Sequence, residues 1–157
     1  MDTAGEVVVK RILLVHGPNL GRLGLRRPEV YGRTTLVQLE TQLRAQGLVS
    51  GFEVICFQSN FEGEIISFID DQRAAAGVIL NPGALMMSGW ALRDCLEDFT
   101  GTKIELHISN VFARENFRRS SVLADVMDGF ISGLGVAGYS AALEVLMGGL
   151  RNAEGQA

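Results

Sequence analysis

The sequence predicts a doubly wound α/β domain. Three observations predict it: short apolar runs recur along the chain, amphipathic segments separate them, and polar residues gather just after the apolar runs. The 157 residues, 47% of them hydrophobic, suit one domain spanning 1–157 that buries roughly two-thirds of its unfolded surface. Its ordered core is expected over about residues 10–150, between a polar leader and a C-terminal tail.

The elements follow in order. Arg11-Ile12-Leu13-Leu14-Val15 reads as a buried strand, and Gly17-Pro18-Asn19 ends it with turn-forming residues. Leu20 to Arg33 shows neither helical nor strand periodicity and exceeds the roughly two to six residues of a common βα connection, which marks a functional loop. A helix begins at Thr34 or Thr35: Thr35 and Gln38 have capping-box spacing, and Leu36, Leu39 and Leu43 repeat at helical intervals until Gly47 or Gly51. Val54 to Phe57 gives a second strand, Asn60 is placed to cap a helix carrying Ile65 and Ile69, and Val78 to Leu80 gives a third. Ser88 is placed to cap a helix reaching Phe99. Ile104 to Ile108 and Phe130 to Leu134 supply strands four and five, and Tyr139, Leu143 and Met147 line a last helix before a frayed tail at 152–157. Such short apolar strands with crossover helices imply a parallel sheet covered on both faces. Ligands bind beyond the carboxyl ends of strands in such sheets, so Asn19, Gln58 to Asn60, Asn81 to Gly83 and His107 to Asn110 are expected to converge.

Charge and composition exclude several classes. A net charge of −4 and a pI near 5.2 supply no broad basic field for nucleic acid or an anionic membrane surface. Lysine occurs only at Lys10 and Lys103, so the positive charge is mostly arginine, suited to a small anionic ligand. No apolar run reaches the roughly 18 to 20 residues of a membrane span, and Met1 to Lys10 carries Asp2 and Glu6 rather than a basic leader, which points to the cytoplasm. Cys56 and Cys95 lack C-x-x-C spacing and read as reduced thiols; with His16 and His107 as the two histidines, no metal site is expected. Gly133 to Gly138 has Gly-x-Gly-x-x-Gly spacing but leads into the last helix with no unit following, so no nucleotide is expected there.

Two pairs of residues carry candidate chemistry. A phenol is a poor base at neutral pH, but a neighbouring guanidinium favours the tyrosinate, and Tyr31 with Arg26 in the long loop has that composition. Glu105 and His107 alternate on one face of strand four, where a carboxylate orients an imidazole and makes it a better proton donor. The plain alternatives are a surface tyrosine with solvated arginines and a satisfied core histidine. Asn81-Pro82-Gly83 and Ser109-Asn110 offer amides and backbone N–H groups to a carboxylate, and Arg114 and Arg118 stand four apart on an expected helical turn.

Taken together, Gly17-Pro18-Asn19-Leu20, Arg26 to Gly32, Gln58-Ser59-Asn60, Asn81-Pro82-Gly83-Ala84, Ala91-Leu92-Arg93-Asp94 and Glu105 to Asn110 resemble, in order, the motifs of type II 3-dehydroquinate dehydratase. The resemblance covers Arg11 to Leu150. It implies a flavodoxin-like sheet of order 2-1-3-4-5 and a hydro-lyase that uses no cofactor. The implied reaction is an anti elimination of water from a cyclic hydroxy-ketone carboxylate, 3-dehydroquinate, through an enolate. Tyr31 would be the base, Arg26 would hold it as tyrosinate, Asn19 would stabilise the enolate through a water, and His107, oriented by Glu105, would protonate the departing hydroxyl. Asn81 and the backbone of Ile108 and Ser109 would grip the carboxylate, Arg118 a ring hydroxyl, and Arg114 would ride on a lid. The resemblance also implies homo-oligomers, trimers grouped into dodecamers, in which Asp94 reaches a neighbouring subunit's pocket.

The chain departs from that pattern at one wall. Met86-Met87-Ser88-Gly89 stands where the family has Thr-His-Thr-Ser, so Met87 takes the place of a histidine that binds a substrate hydroxyl. Exchanging imidazole for thioether is expected to weaken recognition by about 1 to 3 kcal/mol. His16 replaces an asparagine, Phe61 and Phe112 stand where histidine is common, and Trp90 replaces a small aliphatic residue, so a larger, more apolar wall is expected. Two alternatives to 3-dehydroquinate turnover stay open: a paralogue acting on a less hydroxylated or modified cyclic ketone, and a non-catalytic ligand-binding homologue. A flavodoxin-type flavin carrier is disfavoured, because Pro18 and Arg22 interrupt the loop after strand one.

Overall fold

The computed structural model describes residues 8–155; Asp2, Glu6 and the last two residues of the expected tail lie outside the described residues. Five parallel strands, β1 (Lys10–His16), β2 (Phe52–Gln58), β3 (Gly77–Asn81), β4 (Thr102–His107) and β5 (Gly129–Ser132), form one sheet of order β2-β1-β3-β4-β5. Period-two alternation splits the strand side chains between two cores. Ile12, Leu14, Ile79 and Leu106 pack under α2 (Leu36–Val49) and α5 (Ala137–Glu154). Leu13, Val15, Val78 and Leu80 pack under α3 (Glu62–Asp71) and α4 (Trp90–Glu97). No helix among the described residues is long and apolar enough to cross a membrane.

The capping box is present on α2: Thr35 Oγ accepts from Gln38 N at 3.3 Å, and Gln38 Oε1 accepts from Thr35 N at 3.0 Å. Gly51, at φ +82°, follows the helix, while Gly47 lies inside it. A Cβ on Gly47 would meet Val54 Cγ2 at 2.5 Å, so this glycine lets α2 lie close on β2.

Four local expectations are corrected. Asn60 does not cap α3: Phe61 holds that position, Ser59 Oγ accepts from Phe61 N, and Asn60 Oδ1 instead accepts from Asn19 N at 2.9 Å. Ser88 ends a 3-10 turn over Gly83–Met87, and Gly89 precedes α4. Arg114 and Arg118 share no helical turn, because two short 3-10 turns, Val111–Ala113 and Asn116–Arg118, occupy that stretch. The expected tail is helical through Glu154.

Candidate active site

The carboxyl ends of β1, β3 and β4 open into a cleft, the place where ligands bind in sheets of this kind. Asn19, Arg26 and Tyr31 line it from the long loop, and Asn81 from the end of β3. His107, Ile108, Ser109, Arg114 and Arg118 line it from β4 and the turns beyond. Two non-glycine residues of the loop take left-handed backbone, Asn19 at φ +70° and Arg27 at φ +43°. Asn19 is held there by the bond from its N–H to Asn60, whose Oδ1 also accepts from Gln58 Nε2 at 3.2 Å. Arg27 precedes the single-turn helix α1 (Pro28–Tyr31), which presents Tyr31 to the cleft.

Tyr31 Oη accepts a hydrogen bond from Arg114 Nη1 at 2.9 Å, and the same guanidinium stands 5.9 Å from the phenol ring centroid. The contact is a charge-assisted hydrogen bond, the stronger kind. The expected partner was Arg26. Arg26 lines the same cleft, but the bond to Tyr31 comes from Arg114, because the turn after β4 folds back over the loop after β1. Arg114 Nη1 also approaches Ser109 Oγ at 3.4 Å, which ties this arm to the end of β4.

Glu105 and His107 share one face of β4, as their spacing requires, and Glu105 is fully buried. Its Oε1 lies 2.7 Å from His107 Nε2, and its Oε2 accepts from Ser121 Oγ at 2.9 Å. With Nε2 committed to the carboxylate, Nδ1 is the ring nitrogen left for a ligand. A buried carboxylate beside a histidine that borders the cleft is an arrangement for donating a proton.

On the opposite face of the sheet, Asn81 Nδ2 donates to Tyr139 Oη at 2.8 Å, and Asn81 Oδ1 accepts from Gly83 N at 3.2 Å. Tyr139 Oη lies 3.3 Å from His16 Nδ1. Burial drives the His16 pKa down to about 3 and pushes that of Tyr139 up.

A family model described as "Dehydroquinase class II" matches residues 10–147. The chain belongs to the class II dehydroquinase family. A 3-dehydroquinate dehydratase of Bacillus cereus (strain B4264) is 47% identical over 146 residues, 92% of this chain and 100% of that protein. The crystal structure of type II dehydroquinase from Propionibacterium acnes superposes with a TM-score of 0.83 at 40% identity, over 88% of this chain and 96% of that one. The type II dehydroquinase from Butyrivibrio crossotus DSM 2876 gives 0.85 at 39%, over 88% and 97%. The flavodoxin-like fold and the strand order expected from the motifs are those observed.

Within this dehydroquinase-family cleft, two expected residues stand apart. Asp94 is exposed on α4, beside Arg93 and outside the lining of the cleft. Met87 is half-buried at the end of its 3-10 turn, and Met86, 2% exposed, is the methionine on the wall. Phe61, Trp90 and Phe112 are more than half exposed and do not line the cleft of the single chain, so the expected apolar enlargement reduces to Met86. Phe61 and Trp90 sit at the starts of α3 and α4 and turn to the surface. Ser121 and Tyr139 were missed as parts of the site, and Asn60, expected among the residues converging there, was given a capping role rather than its bond to Asn19. Ser121 acts on the Glu105 carboxylate and Asn60 on the backbone N–H of Asn19, contacts between distant parts of the sequence that no local pattern reports, and Tyr139 showed only its helical periodicity.

Proposed function

We propose that this chain dehydrates 3-dehydroquinate to 3-dehydroshikimate, a hydro-lyase reaction that its own side chains carry without a cofactor. The observation that carries the reading is that Tyr31, hydrogen-bonded by Arg114, and His107, hydrogen-bonded by Glu105, line one cleft. Membership of the dehydroquinase family supports it.

The phenolate of Tyr31 takes the proton from the carbon beside the ketone, and the electron pair left on that carbon moves into the enolate. Arg114 holds the phenolate, with Arg26 as a second positive charge on the cleft wall. Asn19, fixed in its left-handed conformation, stabilises the enolate oxygen through a water. The enolate then expels the hydroxyl on the neighbouring carbon, and the imidazolium of His107 protonates it, so that water leaves on the opposite face from the abstracted proton. Asn81 and the backbone of Ile108 and Ser109 hold the ring carboxylate, and Arg118 a ring hydroxyl. The chain works in the cytoplasm as a homo-oligomer, trimers grouped into dodecamers, in which the exposed Asp94 reaches a neighbour's cleft.

The test is incubation with 3-dehydroquinate while following ultraviolet absorption of the conjugated enone. The native chain should give a rising signal and Tyr31→Phe none; a silent native chain at high enzyme concentration refutes the reading. Met86 favours one second reading, a ring with fewer hydroxyls on that edge, since a buried thioether offers a hydroxyl only a weak acceptor. That reading requires a deoxygenated analogue to be eliminated faster than 3-dehydroquinate.

A further inference from the structure

We infer that Tyr139, seated against His16, is a positioning residue that fixes which atom of Asn81 the cleft presents to its ligand. The role given to Asn81, holding a carboxylate, rests on the dehydratase reading above; the orientation of its amide rests on hydrogen bonds alone. A backbone N–H can only donate, so the Asn81 atom facing Gly83 N at 3.2 Å is the oxygen. The nitrogen therefore faces Tyr139 and donates to its oxygen at 2.8 Å. The tyrosine's own hydrogen must go elsewhere, and the acceptor within reach is His16 Nδ1 at 3.3 Å. His16 must then be neutral with its lone pair on Nδ1, the state that full burial imposes. Its Nε2–H has no hydrogen-bond partner among the described residues and faces Glu40 Oε1 at 3.6 Å.

Each donor thus dictates the next, from Gly83 through Asn81 and Tyr139 to His16. The chain of bonds leaves Asn81 with one free N–H, a donor matched to a carboxylate oxygen and mismatched to a ligand N–H. Sheet register builds it: His16 and Asn81 end β1 and β3 as paired neighbours, and Tyr139, in the first turn of α5, packs beneath both. Without the tyrosine oxygen the amide is free to rotate and to offer its carbonyl to the carboxylate, which repels it.

The test is a double-mutant cycle on Tyr139→Phe and Asn81→Ala, read as KM and kcat for 3-dehydroquinate, with thermal melts to confirm folding. Y139F should raise KM about tenfold with kcat changed less than about threefold, and should add nothing further in an N81A background. An equal KM increase in both backgrounds would overturn the inference, since a merely structural tyrosine acts independently of Asn81. A second readout does not depend on turnover: the Asn81 side-chain amide resonances, assigned by their loss in N81A, should exchange slowly in the native chain and shift with faster exchange in Y139F. Unchanged Asn81 resonances would reject the positioning role even if 3-dehydroquinate proves not to be a substrate, and a native chain silent toward it would refute the dehydratase reading alone. His16→Leu, which removes only the acceptor of the tyrosine hydrogen, should move both readouts in the same direction by a smaller factor, and it serves if Y139F does not fold.

Discussion

The two histidines stand at the carboxyl ends of neighbouring parts of one sheet, both nearly sealed from solvent, yet they are built for opposite tasks. His107, at the end of β4, meets a buried carboxylate on one side and the cleft on the other. His16, at the end of β1, meets a tyrosine hydroxyl on the opposite face of the sheet and does not line the cleft. Burial drives the imidazole of His16 toward the neutral form, whereas His107 is paired with the buried carboxylate of Glu105. One face of the sheet therefore holds a carboxylate-paired imidazole that borders the cleft, and the other a neutral imidazole in a chain of hydrogen bonds.

The largest expected effect breaks the carboxylate-paired arm. His107→Ala should lower kcat by about a thousandfold with a smaller change in KM, the mark of a lost general acid. A loss of less than about tenfold would show that another group protonates the leaving hydroxyl. Next, Arg114→Ala should lower kcat by about a hundredfold, since it removes the donor on the Tyr31 oxygen. Arg26→Ala on the same cleft sharpens the point: if the larger loss follows Arg26 instead, the cation that matters is the one expected from the loop sequence.

The neutral arm is tested through stability. The His16 pKa falls from 6.5 to about 3 on folding, so between these values the unfolded chain binds a proton that the native chain excludes. Stability then rises with pH across this window, and it is lost progressively as pH falls from 6.5 toward 3. At pH 5 the contribution amounts to about 2 kcal/mol relative to pH 8. Denaturant melts at both pH values should show His16→Gln, which binds no proton, to be less acid-sensitive by that amount. Equal pH dependence in the two proteins would mean that His16 is protonated in the native state.

The strands and the residues around the cleft were legible because they leave local marks: apolar runs, alternation at Glu105 and His107, and polar residues after each strand; the order of the strands came from the family resemblance, not from any local mark. The partner of Tyr31 was not legible. Arg26 is near Tyr31 in sequence, whereas Arg114 lies 83 residues away and reaches it only because the turn after β4 closes over the loop. His16, Asn81 and Tyr139 were each visible, but their union depends on strand register and on how far α5 advances along the sheet.

The helix starts show the same limit at the smallest scale of energy. Thr35 and Asn60 both have N-cap chemistry just before apolar periodicity, one on each face of the sheet. Thr35 caps α2, so Thr35→Ala should cost about 1 kcal/mol in denaturant melts. Asn60 spends its oxygen on Asn19 N and Gln58 Nε2, holding the loop that carries Asn19 into the cleft, while Ser59 serves the start of α3. Asn60→Ala should therefore leave α3 intact and cut kcat by about fivefold, the equivalent of one hydrogen bond of about 1 kcal/mol. The reverse pattern, lost stability with unchanged kcat, would return Asn60 to the capping role that its sequence position suggests. What separates the two residues is the donor each meets: the left-handed turn at Asn19, 41 residues away, points a backbone N–H at Asn60, whereas Thr35 Oγ accepts from Gln38 N inside its own capping box.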